Sequence, residues 1–359
     1  MADKVRVAIA GCGNVAKPYA NHIKSYPHVE LVGFFDLLPE RAAAFVAEHG
    51  GKAYASLEEL LADASVDLVV NLTIHHAHAE VVRKCLEAGK HVHTEKPLAL
   101  SSEEAAALVQ LAEDKGLRLS SAPITFMGEA QQTAWKYIRD GKLGTVRVIY
   151  AEVNHGRIER YHPAPAPFFA VGPLWDVAVY PLTALTALFG PVRRVCGFGR
   201  VVLSERVAKG GLKFRVKTPD FTLALLEFKD GPVVRLTANF YVDRDRSKGG
   251  GSLEYHGDAG RIWTGDFQNF DAPVECAVGA EKYRRVPPLR RPYRGVEFAR
   301  GVEDLADAIR ENRPHRATGE HAAHIVEVVV AIQRSIEAKG RSITVKSDFS
   351  PPAPMPWAR

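Results

Sequence analysis

The chain has 359 residues, 46% hydrophobic and 25% charged, a composition typical of globular domains and far from intrinsic disorder. At about 150 residues per domain, that length predicts two domains. Lys and Arg exceed Asp and Glu by 5 charges, too few to argue for a nucleic-acid partner and compatible with an anionic small ligand.

Residues 5–10 form a short apolar, β-branched run, the mark of a buried parallel strand. It feeds into Gly11-Cys12-Gly13-Asn14-Val15-Ala16 and a helix that stops at Pro27. A second strand, 29–35, ends at Asp36, and a helix from 39 stops at Gly50-Gly51. Ser56 with Glu59, and Ser101 with Glu104, make capping boxes for two further helices. Between them lie a strand at 66–72, a helix at 77–88 and a strand at 91–94, and 117–122 completes the series. Strands alternating with helices predict an α/β class, here a doubly wound Rossmann sheet over residues 1–124. From 125 to 345 the pattern changes to β-rich runs at 146–153, 192–202, 221–228 and 233–242, with Asp230-Gly231 as a hairpin turn. Consecutive strands without helices between them predict a large open, mainly antiparallel sheet in a C-terminal α+β domain. Helices at 296–311 and 320–338 follow, and the proline-rich tail 346–359 is expected to lie extended on the surface or on a neighbouring subunit.

The first strand, its glycine turn and the helix behind it have the context of a dinucleotide-binding loop. Gly11 permits the tight turn, Gly13 lets the backbone approach a pyrophosphate, and Ala16 allows close helix–strand packing. The helix start at Asn14 and Val15 presents N–H groups to phosphate. Asp36, 20 positions beyond Ala16, suits the ribose hydroxyls of NAD and repels a 2′-phosphate, while Arg41 leaves NADP open. Glu95-Lys96-Pro97 ends the strand at 91–94, on the edge where open α/β sheets bind ligands, and Pro97 aims Lys96 outward.

The glycine turn, together with Ala88-Gly89-Lys90-His91-Val92-His93-Thr94-Glu95-Lys96-Pro97-Leu98-Ala99, resembles the Gfo/Idh/MocA oxidoreductases. The family's next signature, an Asp followed four residues later by His or Tyr, is matched by Gly172-Pro173-Leu174-Trp175-Asp176-Val177-Ala178-Val179-Tyr180-Pro181. The stretch 138–146 looks like the family's entry from helix to sheet, and the resemblance runs from about 4 to 340. Thr73-Ile74-His75-His76 departs from the family's usual Thr-Pro and Asn, and Ala178 and Val179 stand where it commonly has Gly. The resemblance implies an NAD(P)-dependent dehydrogenase or reductase acting on a sugar, cyclitol or cyclic diol. It also implies a homodimer or homotetramer through the C-terminal sheet.

Asp176 and Tyr180 would share a face if one helix carried both. A phenol of ordinary pKa near 10 is a poor base at neutral pH, and the Lys96 ammonium beside it would lower that value. Tyr180 is thus expected to exchange the proton, with Lys96 tuning it and Asp176 holding a neighbouring hydroxyl or Lys96 itself. Lys96 as the base stays open. Thr73, His76, His78 and Glu95 are expected at the cofactor, and Asn154, His155 and Trp175 around the substrate with Lys96, Asp176 and Tyr180. Two other readings remain: a redox-neutral epimerase, eliminase or glycosidase that recycles bound NAD, and a dinucleotide-sensing regulator without catalysis.

No acid or cysteine accompanies the histidines at 75, 76 and 78, at 91 and 93, or at 321 and 324 with familiar ligand spacing, so no metal is expected. Cys12, Cys85, Cys196 and Cys276 predict no disulfide framework. The arginines at 284, 285, 290, 291 and 294 read as a solvated loop or subunit contact. With a strand starting at Val5 no signal peptide is expected, and no apolar stretch is expected to reach the roughly 20 residues of a membrane span. A cytoplasmic protein with neither membrane nor nucleic-acid partner is expected, so Asn71-Leu72-Thr73 is a chance glycosylation match.

Overall fold

The computed structural model describes residues 4–243 and 250–359, so residues 1–3 of the expected first domain lie outside it. The chain divides into two compact units, 1–124 with 297–326, and 125–296 with 327–359.

The first unit alternates β1 (Val5–Ala10), α1 (Ala16–Ser25), β2 (Val29–Phe35), α2 (Pro39–His49), β3 (Lys52–Ala53), α3 (Leu57–Ala62) and β4 (Leu68–Asn71). It continues with α4 (His78–Glu87), β5 (His91–Thr94), α5 (Ser102–Asp114) and β6 (Leu119–Ser121). Among the described residues these strands form one six-stranded sheet, ordered β3-β2-β1-β4-β5-β6, with every pairing parallel. The strand order reverses between β1 and β4, the place where sheets of this kind bind ligands beyond their carboxyl ends. Val7, Ile9, Leu68 and Val70 are fully buried, as expected of strands covered on both faces. Both predicted caps form. Ser56 Oγ accepts the Glu59 N–H at 3.0 Å while Glu59 accepts the Ala55 N–H at 2.8 Å, and Ser101 Oγ accepts the Glu104 N–H at 3.1 Å.

The second unit begins after a 3₁₀ turn with α6 (Glu129–Arg139), β7 (Val146–Asn154), α7 (Ala166–Asp176), α8 (Val179–Phe189) and β8 (Val192–Arg200). A hairpin of β9 (Glu205–Val207) and β10 (Lys213–Arg215) precedes β11 (Phe221–Phe228) and β12 (Val233–Asn239). Then come β13 (Gly251–Gly257), β14 (Gly260–Gly265), β15 (Val274–Val278) and β16 (Arg284–Arg285). α9 (Arg300–Glu311) belongs to the first unit, α10 (Gly319–Glu337) runs from the first into the second, and β17 (Ile343–Thr344) ends the series. Among the described residues nine strands join in the order β16-β15-β14-β13-β7-β12-β11-β8-β17, and only β7 with β12 is parallel. The sheet is therefore mixed and mainly antiparallel. The hairpin around Asp230-Gly231 forms between β11 and β12, whereas β9–β10 and β13–β16 leave too weak an alternation to be seen in sequence.

Register puts Phe198, Leu225, Tyr150 and Val233 on one face of this sheet, all exposed, while their strand neighbours Val195, Leu226, Ile149 and Val234 are buried. Arg206, fully buried, donates to Glu159 at 2.7 Å and to Asp220, and its guanidinium lies 4.6 Å from the Phe169 ring centroid. The tail folds back on its own unit. Arg139 donates to the Ala358 carbonyl at 2.5 Å, Met355 N–H donates to Gln132 at 3.1 Å, and Arg290 stacks on Trp357.

Two expectations need correction. The segment 297–326, placed by sequence in the second domain, belongs to the first unit, where Ala299, Val302, Leu305 and Ala306 join the core of Tyr19, Ile23 and Tyr26. The 24 residues Ala166–Phe189 are long and apolar enough by composition to cross a membrane, contrary to expectation. In the fold they are two helices, most of the apolar window is buried, and the backbone departs from helical geometry at Gly172 (φ 77°).

Candidate active site

The sequence-predicted cofactor residues of the first unit lie on one edge, at or just past the carboxyl ends of β1, β2, β4 and β5. Gly11, at φ 98°, sits where an added Cβ would lie 2.7 Å from the Leu72 carbonyl carbon, so only glycine fits the turn. Gly13 and Asn14 are exposed, and a Cβ on Gly13 would meet nothing within 4 Å. α1 starts at Ala16 after Val15 with no side-chain cap and no acid in its first turn, so its amide groups suit an anion. These features fit a dinucleotide pyrophosphate. Asp36 accepts the Cys12 N–H at 2.8 Å and the Leu38 N–H at 2.9 Å, which fixes its carboxylate against the glycine turn. Leu37, at 87% exposure, brings no cation for a 2′-phosphate.

Past β4, Thr73 is half-buried and donates its hydroxyl to Asn71 Oδ1 at 2.7 Å. His76 is exposed, with its ring 4.2 Å from that of His75. His78 departs from expectation. It is 1% exposed, and its ring nitrogens stand 2.8 Å from the Pro97 carbonyl and 3.0 Å from the Thr73 carbonyl. With both nitrogens on backbone oxygens, the ring has nothing to offer a dinucleotide directly. Past β5, Glu95 accepts from the Tyr19 hydroxyl at 2.8 Å and from the Lys96 N–H at 3.1 Å, and Lys96 is half-buried before a cis peptide to Pro97.

Asn71 and Tyr19 are functional-edge residues that sequence alone did not single out for this role. Asn71 is fully buried. Its amide donates to the His78 carbonyl at 3.2 Å and to Thr94 Oγ1 at 3.1 Å, so it ties the two turns together and is no acceptor for a glycan. The one available signal was a polar residue closing an apolar strand.

In the second unit Asp176 and Tyr180 do not share one regular helix. Asp176 closes α7, and Val177 (φ −122°) and Ala178 form a turn before α8. The N–H groups of Val177 and Ala178 both reach the Pro173 carbonyl, at 3.0 and 2.9 Å, and Tyr180 N–H reaches Val177 at 3.4 Å. Through 172–187 the chain is buried except at Asp176 and Tyr180, which are half-exposed; Trp175 is buried. Asn154 ends β7 and accepts from Asn239 at 2.8 Å, while the His155 ring lies 5.8 Å from Phe240. Phe240 also meets Phe169 of α7 edge-on at 5.4 Å, so α7 and the end of β7 share an aromatic contact.

Residues 5–122 match the family model described as "Oxidoreductase family, NAD-binding Rossmann fold", and 131–263 match "GFO/IDH/MocA C-terminal domain". The chain is 28% identical to trans-1,2-dihydrobenzene-1,2-diol dehydrogenase of Bos taurus, over 63% of this chain and 65% of that one. It is 22% identical to myo-inositol 2-dehydrogenase of Thermotoga maritima, over 95% and 99%. Three curated relatives, the bovine one included, are matched over only 57%, 65% and 32% of their own length. A solved levoglucosan dehydrogenase in complex with NADH superposes with a TM-score of 0.83 at 20% identity, covering 96% of this chain and all of that one, a likeness of fold.

Proposed function

The chain belongs to the Gfo/Idh/MocA oxidoreductase family, and from that premise we propose that it transfers a hydride between nicotinamide and a carbinol or carbonyl carbon. The substrate we propose is a sugar, cyclitol or cyclic diol, a class consistent with relatives named for an inositol and for a dihydrodiol. The observation that carries the reading is Lys96 just past β5, on the carboxyl edge that also holds the glycine turn and Asp36. Bound NAD would supply the hydride acceptor, with Gly11, Gly13, Asn14, Val15 and Asp36 holding its pyrophosphate and adenosine ribose. Thr73, His76, Glu95 and Lys96 are proposed for its nicotinamide half.

In the oxidising direction Tyr180 takes the hydroxyl proton as the carbinol carbon loses hydride, so the carbon becomes a carbonyl. Lys96 stabilises the phenolate and donates to the substrate oxygen, while Asp176 holds the adjacent hydroxyl or orients Lys96. Their half-exposure within a buried segment supports Asp176 and Tyr180 for this role. Asn154, His155 and Trp175 are proposed to border the sugar ring. Tyr180→Phe should lower turnover at least about a hundredfold while leaving NAD affinity within a few-fold, and Lys96→Met should lower turnover at least as far and also weaken NAD. Full turnover in both variants would end the assignment, and loss in Lys96→Met alone would make Lys96 the base. Sugars and inositols tested with NAD and with NADP identify substrate and cofactor. A net change in nicotinamide absorbance separates the dehydrogenase from a redox-neutral enzyme.

The outer sheet face bearing Tyr150, Phe198, Leu225 and Val233 is proposed to pair with a second copy, giving a homodimer or homotetramer. All four cysteines are free thiols, which supports a reducing compartment such as the cytoplasm.

A further inference from the structure

His78 is a buried imidazole with two jobs for one proton. Carbonyl oxygens only accept, and a neutral imidazole donates from one nitrogen alone. Its two oxygens belong to separate turns, Thr73 past β4 and Pro97 past β5. In the neutral ring one carbonyl accepts a hydrogen bond and the other packs against the second nitrogen, so the ring fastens one turn by a bond and the other by contact. Burial pushes the ring's pKa down, opposed by the two carbonyls and Glu95 and reinforced by Lys96. The backbone of His78 is held as well, since its carbonyl accepts from Asn71, whose amide also reaches Thr94. The first turn of α4 is thereby tied to both turns at one point.

We infer that His78 is a positioning residue: a clamp that locks the Thr73 turn to the Lys96-Pro97 turn and so sets the seat of the nicotinamide half, without touching the cofactor. The inference rests on the dinucleotide reading above. The adenosine half is proposed to depend on Gly11, Gly13 and Asp36, past the ends of β1 and β2 in the same sheet. Releasing the clamp should therefore weaken NADH and spare ADP-ribose, which lacks the nicotinamide.

The test titrates full-length protein with NADH and with ADP-ribose, and follows backbone hydrogen exchange, in the parent, His78→Ala and His78→Gln. For His78→Ala the expected result is NADH affinity about tenfold lower with ADP-ribose within twofold of the parent. Exchange should rise about tenfold or more at 73–77 and 95–99 while 68–71 and 91–94 keep their protection. His78→Gln, whose amide still donates to one carbonyl, should fall between parent and Ala in both measurements. A general loosening, with exchange raised across β4 and β5 and both ligands weakened alike, overturns the inference. A parent that binds neither nucleotide overturns the dinucleotide reading and the role of the clamp with it. If the parent binds both and His78→Ala matches it for NADH, the clamp alone is overturned.

Discussion

The two units place polar groups against apolar interiors by different means. At the carboxyl edge of the parallel sheet, Asn71, Thr73, His78 and Thr94 form a largely neutral net in which each member has several partners. In the second unit the polar load beside α7 is ionic: buried Arg206 answers Glu159 and Asp220, and Asp220 also accepts the Val202 N–H at 2.6 Å. A neutral net that loses one member leaves a dipole short of a partner. An ionic cluster that loses Arg206 leaves two buried carboxylates without it. The first should degrade gradually and the second abruptly.

Arg206→Met is the strongest way to break that contrast. It should cost about 3–5 kcal/mol in urea unfolding, the usual penalty for leaving a buried charge unpaired. A loss below about 1 kcal/mol would mean that the cluster adds no more than a surface pair. Acid comes next, and it acts on the first unit. Burial pushes His93 and His321 down to about 3 from an ordinary value of 6.5. The unfolded chain takes up these protons below about pH 6.5 and the native chain does not, so stability is full above that pH. It should fall by roughly 1.4 kcal/mol per pH unit for each ring as pH drops from 6.5 toward 3. His93→Gln should remove one ring's share of that slope, and an unchanged slope would exclude His93 as a source.

Asn71→Ala should cost about 1–3 kcal/mol, the desolvation penalty of the groups left short of a partner. Its cost should stay below that of Arg206→Met; the reverse order would invert the comparison. The smallest effect expected is that of Ser101→Ala, about 1 kcal/mol for one lost helix cap. Ser101 belongs to neither polar cluster, so this variant calibrates the scale on which the others are read.

What the sequence discloses follows the range of the interactions. The glycine turn, Asp36 and both capping boxes were readable because each shows a fixed pattern of residue types along the chain, although in the fold Gly11 answers to Leu72 and Asp36 to Cys12. The residue types at 176 and 180 were equally plain, but their helix was not. The Pro173 carbonyl takes two successive N–H groups, and Gly172 has already bent the chain, so regular i, i+4 spacing fails between Asp176 and Tyr180. His78 was legible only as a histidine at the start of the helix after β4. Its partners are carbonyls 5 and 19 positions away, and a carbonyl leaves no trace in residue identity. The assignment of 297–326 was hidden for the same reason, because its partners lie far upstream, Leu119 196 residues before His315 and Tyr26 271 residues before Glu297.

That late segment has a consequence for synthesis. A ribosome that has delivered residues 1–124 has made all six parallel strands, yet Tyr19, Ile23 and Tyr26 still await Val302 and Leu305. The nucleotide-binding half of the nascent polypeptide must wait, with an apolar seat bare, while some 170 intervening residues emerge. An isolated 1–124 fragment, with that apolar seat uncovered, should accordingly be poorly soluble.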